Sequence, residues 1–272
     1  MSDQTSHETY QLTANAAEIY ETQKVVAIFR PLALATINQI DIEDSDQVVD
    51  IACGTGIVSR VLEEEYPALS RIAGVDLNEG MLGQAKSLTS TGGSRIEWYQ
   101  SDVAELPFDD ASFSLAICQQ GLQYFPEKEL ALTEIRRILK PGGRLATTVW
   151  SGASPLFLAI AKALDTYVSH EIAQHSLTPF TFNDKNLIES LMSSAGYHEI
   201  RVSNIIVDRK FGPTPVSIPR EIAGNPIAAD VKAKGEAVMK SIVHSVDQQL
   251  ASFRVREGFV VPQESYLFIA NN

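Results

Sequence analysis

Between residues 47 and 150 the chain alternates short apolar runs with amphipathic stretches, which predicts a parallel sheet joined by crossover helices. VVDIAC (48–53) predicts a first buried strand, followed by a glycine turn and the helical stretch IVSRVLEEEYP. RIAGVDL (71–77) predicts the second strand, with EGMLGQAKSLTS as the helix after it. IEWYQSD (96–102) and FSLAICQQ (113–120) predict two more strands. In EKELALTEIRRILK (127–140) the apolar residues Leu130, Leu132, Ile135, Ile138 and Leu139 mark one helical face, which PGG ends before a fifth strand, RLATTVW (144–150).

The flanking segments are less regular. ASPLFLAIAKALDTYV reads as a helix, HSLTPFTF as a loop, and NDKNLIESLMSSAGY as a capped helix closed by Gly196. HEIRVSNIIVDRKFG and QESYLFIAN read as returning strands. AAEIYETQKVVAIFRPLALATINQI, ahead of the sheet, reads as one or two helices. The expected organisation is one domain over 1–272: a core sheet from 45–150, 185–212 and 258–272, with helical additions at about 10–40, 155–180 and 214–256.

Composition narrows the partners. A net charge of −12 without a Lys/Arg cluster argues against a nucleic-acid substrate. Cys53 and Cys118 are the only cysteines, too few for a disulfide framework and without the spacing of a metal site. The polar N-terminus lacks the features of a signal peptide, and no apolar run is long enough for a membrane span, so a cytoplasmic protein is expected.

The densest chemical signal is VVDIACGTGIVSR. Gly54 and Gly56 lie where the first strand turns into its helix, which lets backbone approach a ligand at the helix N-terminus. A dinucleotide site would carry a third glycine where Ser59 stands and would not place an acid, Asp50, ahead of the turn. Asp50 would penalise a pyrophosphate and favour a ligand bearing an ammonium group. Asp76 falls at the carboxyl end of the second strand, where a carboxylate can accept both hydroxyls of a ribose; the alternative is a solvated loop acid. Asp102, at the end of the third strand, is placed to accept from an adenine amino group or to cap a helix.

These stretches, with SDVAELPFDDASFSLAICQQGLQYFPE and EIRRILKPGGRLATTVW, resemble in order and spacing a class I S-adenosylmethionine-dependent methyltransferase, nearest the ubiquinone/menaquinone biosynthesis C-methyltransferases. The resemblance covers about residues 47–150. It implies S-adenosyl-L-methionine as cofactor and an α/β, Rossmann-like sheet of seven strands, mostly parallel with an antiparallel last strand. It also implies that Asp50, Ala52, Gly54 and Gly56 hold the methionine part and that Asp76 binds the ribose. Leu77 and Met81 would lie against the adenine, Asp102 and Val103 at its edge, and Gln119 near the sulfonium.

A methyl sulfonium is already electrophilic, so the protein needs chiefly to hold an acceptor atom in line in a dry pocket. A general base is required only for an acceptor that is not yet ionised. His170 and His175 are candidate bases in the addition after the fifth strand, and Tyr124 is a candidate after the fourth; each is equally a surface or packing residue. Tyr20, Phe29, Tyr124 and Trp150 could present ring faces to a sulfonium. Arg30 could pair with the methionine carboxylate or sit on the surface. Cys53 adjoins the turn but has no histidine nearby in sequence, so it reads as buried filler rather than nucleophile.

Phe157, Tyr167, Phe180, Phe182 and Phe253 give the additions an apolar character suited to a lid over a small apolar acceptor. Lys and Arg outnumber Asp and Glu over 201–256, which suits a weakly anionic one. The expected activity is methyl transfer to carbon or oxygen of a quinone-like, phenolic or secondary-metabolite acceptor. The competing expectations are an NAD(P)-dependent oxidoreductase and a non-catalytic S-adenosylmethionine-binding module.

Overall fold

The structure is a computed structural model that describes residues 14–90 and 93–272. The predicted apolar runs become strands β1 (Gln47–Ile51), β2 (Arg71–Asp76), β3 (Glu97–Gln100), β4 (Phe113–Gln119), β5 (Leu139–Trp150), β6 (His198–Phe211) and β8 (Gly258–Asn271). Their order across the sheet is β3-β2-β1-β4-β5-β8-β6, and the two-residue β7 (Arg254–Val255) pairs with the outer part of β8. Strands β1 to β5 are mutually parallel, and β8 runs antiparallel to β5 and β6. This is the Rossmann-like sheet expected from the sequence, with one short strand more.

Helices cover both faces, as the continuous apolar strands require. On one face α2 (Arg30–Ile37) and α3 (Ile57–Glu65) pack on Val48, Ile72, Leu115 and Ile117. On the other, α5 (Lys128–Ile138) and α8 (Lys185–Ser194) pack on Val49, Ala73, Ala116 and Leu145. Helix α4 (Glu79–Thr89) joins β2 to β3 and buries Leu82 and Ala85. Asp184 caps α8 by accepting from the N–H groups of Asn186 and Leu187.

Two features bring material over the carboxyl ends of the parallel strands. First, β6 and β8 are each 14 residues long. Trp150, the last residue of β5, pairs with Ser265, so 258–264 and their β6 partners project past the sheet as a two-stranded ribbon. Helices α6 (Pro155–Tyr167), α9 (Thr214–Ala223), α10 (Ala228–Ala233) and α11 (Glu236–Gln249) build a third core on this ribbon around Phe259 and Val261. Helix α7 (His170–Ser176) packs beside α6.

Second, α1 (Ala14–Ile19) runs without interruption into a π-helix, Tyr20–Phe29, and then into α2. Arg30 donates its N–H to the Val25 carbonyl, five residues back, before the ladder tightens again. Pro31 follows at the junction of the π-helix and α2, where its missing N–H leaves a gap in the ladder. The first part of the expected 10–40 addition, and His7, lie outside the described residues.

Three details differ from expectation. Leu130 is half exposed, because the inward stripe of α5 runs through Ala131, Leu132, Ile135 and Ile138. The last strand starts at Gly258 rather than Gln263, since its outer half is paired only within the ribbon. His170–Ser176 form a helix that takes in the first two residues of the stretch read as a loop, His175 and Ser176, and Ser169 caps it by accepting from the Ile172 N–H. Among the described residues no helix is long and apolar enough to cross a membrane.

At the opposite, amino end of the sheet, buried Asp46 ties three strands together. Its carboxylate accepts from the Ser114 hydroxyl of β4 at 2.6 Å, from the Glu43 N–H at 3.0 Å, and from Arg144 of β5 at 2.7 Å. Burial pushes its pKa up, but these donors outweigh burial and hold it below the usual carboxylate range. The folded pKa therefore lies below the unfolded one, and the stability Asp46 contributes is present above the unfolded pKa and lost as pH falls. Asp46→Asn is expected to lower the unfolding free energy at pH 7 by about 2 kcal/mol. Urea titrations of the two proteins at pH 7 and pH 3.5 check this, the difference shrinking at the lower pH.

Candidate functional site

The order β3-β2-β1-β4-β5 reverses direction between β1 and β4, which opens a crevice at their carboxyl ends. Both strands leave the sheet through left-handed backbone. After β1, Ala52 (φ 55°), Gly54 (φ 57°) and Gly56 (φ 79°) are all left-handed, and after β4 so is Gln120 (φ 57°). For alanine and glutamine this costs about 1–2 kcal/mol each, so surrounding contacts must hold the turn in shape.

Those contacts come mainly from two carboxylates. Asp76, at the end of β2, accepts from the Gly54 N–H at 2.7 Å and from the Asn78 N–H at 2.8 Å, joining the glycine turn to the start of α4. Asp50, in β1 and 1% exposed, accepts from the Ser59 N–H at 3.1 Å and the Ser59 hydroxyl at 2.8 Å. It thus satisfies one of the open N–H groups in the first turn of α3. Burial pushes the Asp50 carboxyl up to about 7 against the Ser59 donors, with Asp76 adding repulsion. Burial also raises Asp76, opposed by the N–H groups of Asn78 and Gly54. No ion pair involving either carboxylate is present among the described residues. A buried acid ahead of a glycine turn, Asp50, disfavours a pyrophosphate and favours a cation.

The other expected cofactor contacts fall around this centre. Leu77 is 41% exposed at the mouth, a position from which an apolar side chain can cover a flat ring. Met81 is half-buried, and its side chain approaches Gly54, lying 3.9 Å from where a Cβ there would stand. Asp102, exposed just past β3, has one oxygen held by the Ala104 N–H at 2.9 Å, while Val103 is half-buried against the core. Gln119, the last residue of β4, donates to the Phe29 carbonyl at 3.2 Å and pins the π-helix over the crevice. Tyr20 stacks on Phe29 with centroids 5.2 Å apart, and Phe29 lies 6.1 Å from Trp150. Aromatic contact continues from Trp150 to Phe180 at 6.2 Å and from Phe180 to Phe157 at 4.6 Å.

Three candidates, Arg30, His170 and His175, are turned away from the crevice. Arg30 pairs with Glu64 near the far end of α3 at 2.6 Å, because α2 turns Leu32, Ala33 and Ile37 inward and leaves Arg30 outside. His170 is exposed and meets Asp165 at 2.8 Å. His175 is exposed because α7 buries Ala173 and Ser176 instead. Tyr124 lies in the single turn Leu122–Tyr124 that leaves the carboxyl end of β4, on the crevice side; 55% of its surface is exposed, while burial raises its hydroxyl. Cys53 and Cys118 are buried thiols, raised by that burial, Cys118 to about 12; neither is a ready nucleophile.

Sequence reasoning missed several residues that shape the site. Asn78 caps α4 by accepting from the Met81 N–H at 3.0 Å, and an Asn just before an acidic first helical turn was a usable signal. Trp98 of β3 fills the space beside Gly56 and Gly74, for which no local pattern exists. Gln120 donates to Ser265 at 3.1 Å, a contact between strands far apart in sequence.

A family model described as a methyltransferase domain matches residues 49–147. The chain is 29% identical over 189 residues to a demethylmenaquinone methyltransferase of Staphylococcus epidermidis, across 64% of this chain and 76% of that one. It is 27% identical over 186 residues to a ubiquinone/menaquinone biosynthesis C-methyltransferase of Yersinia enterocolitica, across 62% and 73%. A solved structure of phosphoethanolamine N-methyltransferase 2 of Haemonchus contortus with S-adenosyl-L-methionine superposes with a TM-score of 0.62. Its identity is 20%, with 97% of this chain and 58% of that chain covered, which establishes a shared fold.

The glycines of the turn differ in what they tolerate. A Cβ at Gly56 would stand 2.2 Å from the Trp98 indole, whereas one at Gly54 meets nothing closer than 3.9 Å. Gly54→Ala is expected to cost about 1–2 kcal/mol from left-handed backbone alone. Gly56→Ala adds the overlap, for a total of about 2–4 kcal/mol. Chemical unfolding of both variants measures the difference, and equal costs would contradict the assigned packing of Trp98.

Proposed function

We infer that this chain, a class I S-adenosylmethionine-dependent methyltransferase resembling the ubiquinone/menaquinone C-methyltransferases, transfers a methyl group to carbon or oxygen of a small, largely apolar, quinone-like acceptor. The observation that carries the cofactor preference is the buried carboxylate of Asp50, with the half-buried Asp76 near it and no basic partner for either, beside a left-handed glycine turn. The oxidoreductase reading needs an anion-accepting turn, which Asp50 ahead of the turn and the absence of a third glycine at Ser59 oppose; an acid placed as Asp76 is would serve the ribose of either cofactor.

When bound, S-adenosylmethionine supplies a methyl group on an electrophilic sulfonium. The residues proposed to hold it are Ala52, Gly54 and Gly56 at the methionine part and Asp76 at the ribose. Leu77, Met81, Asp102 and Val103 are proposed around the adenine. Asp76 keeps acceptor capacity, since each oxygen uses one backbone N–H. Asp50 is proposed to act through the field of its carboxylate and through the Ser59 N–H, since its side chain faces inward. Gln119 and the Tyr20–Phe29–Trp150 rings close the mouth and exclude water, which raises the electrophile's reactivity toward a positioned acceptor.

The relatives' names carry demethylmenaquinone and the ubiquinone/menaquinone series. The packed rings of Trp150, Phe157 and Phe180 give the lid an aromatic character that suits a planar ring of that kind. The described histidines, His170, His175, His198 and His244, are exposed, so the acceptor proposed is one that ionises readily, such as a phenol or hydroquinone. The net charge of −12 disfavours a nucleic-acid acceptor. We propose a cytoplasmic enzyme on the sequence features alone.

Incubation with S-adenosylmethionine bearing a trideuterated methyl and reduced 1,4-naphthohydroquinone, followed by mass spectrometry, tests the activity. The expected products are a trideuteromethylated naphthol derivative and an equal amount of S-adenosylhomocysteine; release of neither would overturn the proposal. Asp50 adds a pH signature. A nearby cationic ligand favours its ionised form, so cofactor affinity should rise with pH through about 7 and level off above. In Asp50→Asn the affinity should be lower and the rise absent, as titrations at pH 5.5, 7 and 8.5 would show. A flat wild-type profile would remove Asp50 from the account.

A further inference from the structure

On the inner face of the β6–β8 ribbon, Ile205 pairs with Ser265, Val207 with Gln263, and Arg209 with Val261. Paired residues share a face, and alternate residues along a strand return to it, so Arg209, Gln263 and Ser265 line one surface. Trp150, opposite Ser265 in β5, belongs to the same surface, and Val207 packs in one cluster with Trp150 and Phe180. Arg209 lies under the Phe157 ring, 5.2 Å from its centroid. The result is a floor of polar side chains on strands, facing aromatic rings from α6 and the 178–180 turn, beyond the carboxyl ends of β4 and β5.

The floor is buried and underused. Gln263 is 1% exposed, and neither its Oε1 nor its Nε2 has a hydrogen-bond partner. Arg209 is 6% exposed; one terminal nitrogen pairs with Glu221 at 2.5 Å while its Nε is unpartnered. Gln120 donates to Ser265 and Thr148, and its Oε1 is unpartnered. A buried amide left without partners costs about 1–3 kcal/mol for each unsatisfied group, and a hydrophobic side chain of similar volume would avoid that cost. Lys24 also faces Glu221, at 3.6 Å, so two cations share one carboxylate and leave the floor with a positive excess.

We propose that Gln263, supported by Arg209, is the group that reads the acceptor: it binds an oxygen of a planar oxygenated ring on the side remote from the atom that receives the methyl. The proposal rests on the acceptor reading given above. Gln120 adjoins Gln119 at the end of β4 and contacts Ser265, and Gln263 lies two residues beyond Ser265. That places Gln263 about 7 Å further along the ribbon, comparable with the span between oxygens on opposite sides of a ring. Its amide can donate to an oxo or phenolate oxygen and accept from a hydroxyl, and the positive excess from Arg209 and Lys24 favours the anion. An acceptor with two para oxygens would then be held at one end while the other end, or the carbon beside it, meets the methyl.

The test compares 1,4-naphthohydroquinone, kept reduced, with 1-naphthol. Both are titrated by calorimetry onto wild type and Gln263→Leu saturated with S-adenosylhomocysteine, and thermal unfolding of each protein is recorded. Wild type is expected to bind the dihydroxy ring at least about tenfold more tightly than the monohydroxy one. Gln263→Leu should lose that preference while keeping 1-naphthol affinity within about threefold, S-adenosylhomocysteine affinity unchanged and a melting temperature equal to or above wild type. Retained preference in Gln263→Leu overturns the assignment of Gln263. So does a lower melting temperature with loss of both ligands, which marks a structural residue; Gln263→Met, closer in shape, separates a packing loss from a polar one. Wild type that binds S-adenosylhomocysteine but neither ring overturns the acceptor reading itself, and this proposal with it.

Discussion

The hydrogen bond from the Gly54 N–H to Asp76 and the paired bonds from Ser59 to Asp50 hold the site together. They bind a strained turn to β1, β2 and the first turn of α3, and they do so with carboxylates that burial makes costly to ionise. Nothing basic offsets that cost among the described ion pairs. A fold stable without such groups at its centre would be easy to build with asparagine or with apolar residues. Asp50, buried ahead of the turn, favours a ligand that brings positive charge over one that brings phosphate, while Asp76 suits a ribose.

The remaining architecture serves to enclose this point. The sheet order puts the reversal of direction at β1 and β4, so the turn after β1 and the left-handed Gln120 after β4 face one crevice. The π-helical segment, pinned by Gln119 through the Phe29 carbonyl, covers one side. The long β6–β8 ribbon carries the third core over the other. Lys24 of the π-helix, Arg209 of the ribbon and Glu221 of α9 meet in one charge cluster, so the two covers are joined to each other as well as to the sheet. Parting them would expose a buried arginine and a buried glutamate, a cost that favours the closed arrangement.

Much of this was legible in the sequence, and the limits have physical causes. Strand positions followed from β-rich apolar runs, and the glycine turn with Asp50, Asp76 and Asp102 stood at the strand ends where local pattern puts them. Such features depend on period and on backbone conformation, both of which are local. Arg30, His170 and His175 face away from the crevice because a side chain's direction on a helix depends on which stripe the tertiary core takes, as the inward turn of Leu32 and Ala173 decided. The inward commitment of Asp50 to Ser59 was hidden for the same reason. Gln263 and Arg209 carried no signal, since their meaning arises from a register between strands over fifty residues apart in the chain. Trp98 filling the space beside Gly56 is equally non-local.

The central claim is that the turn, with Asp50 buried ahead of it, selects a sulfonium-bearing nucleoside over a dinucleotide. Parallel calorimetric titration of the protein at pH 7.5 with S-adenosylmethionine and with NAD addresses it most directly. The account predicts saturable one-to-one binding of S-adenosylmethionine and no measurable heat from NAD. Saturable binding of NAD, with none of S-adenosylmethionine, would contradict it.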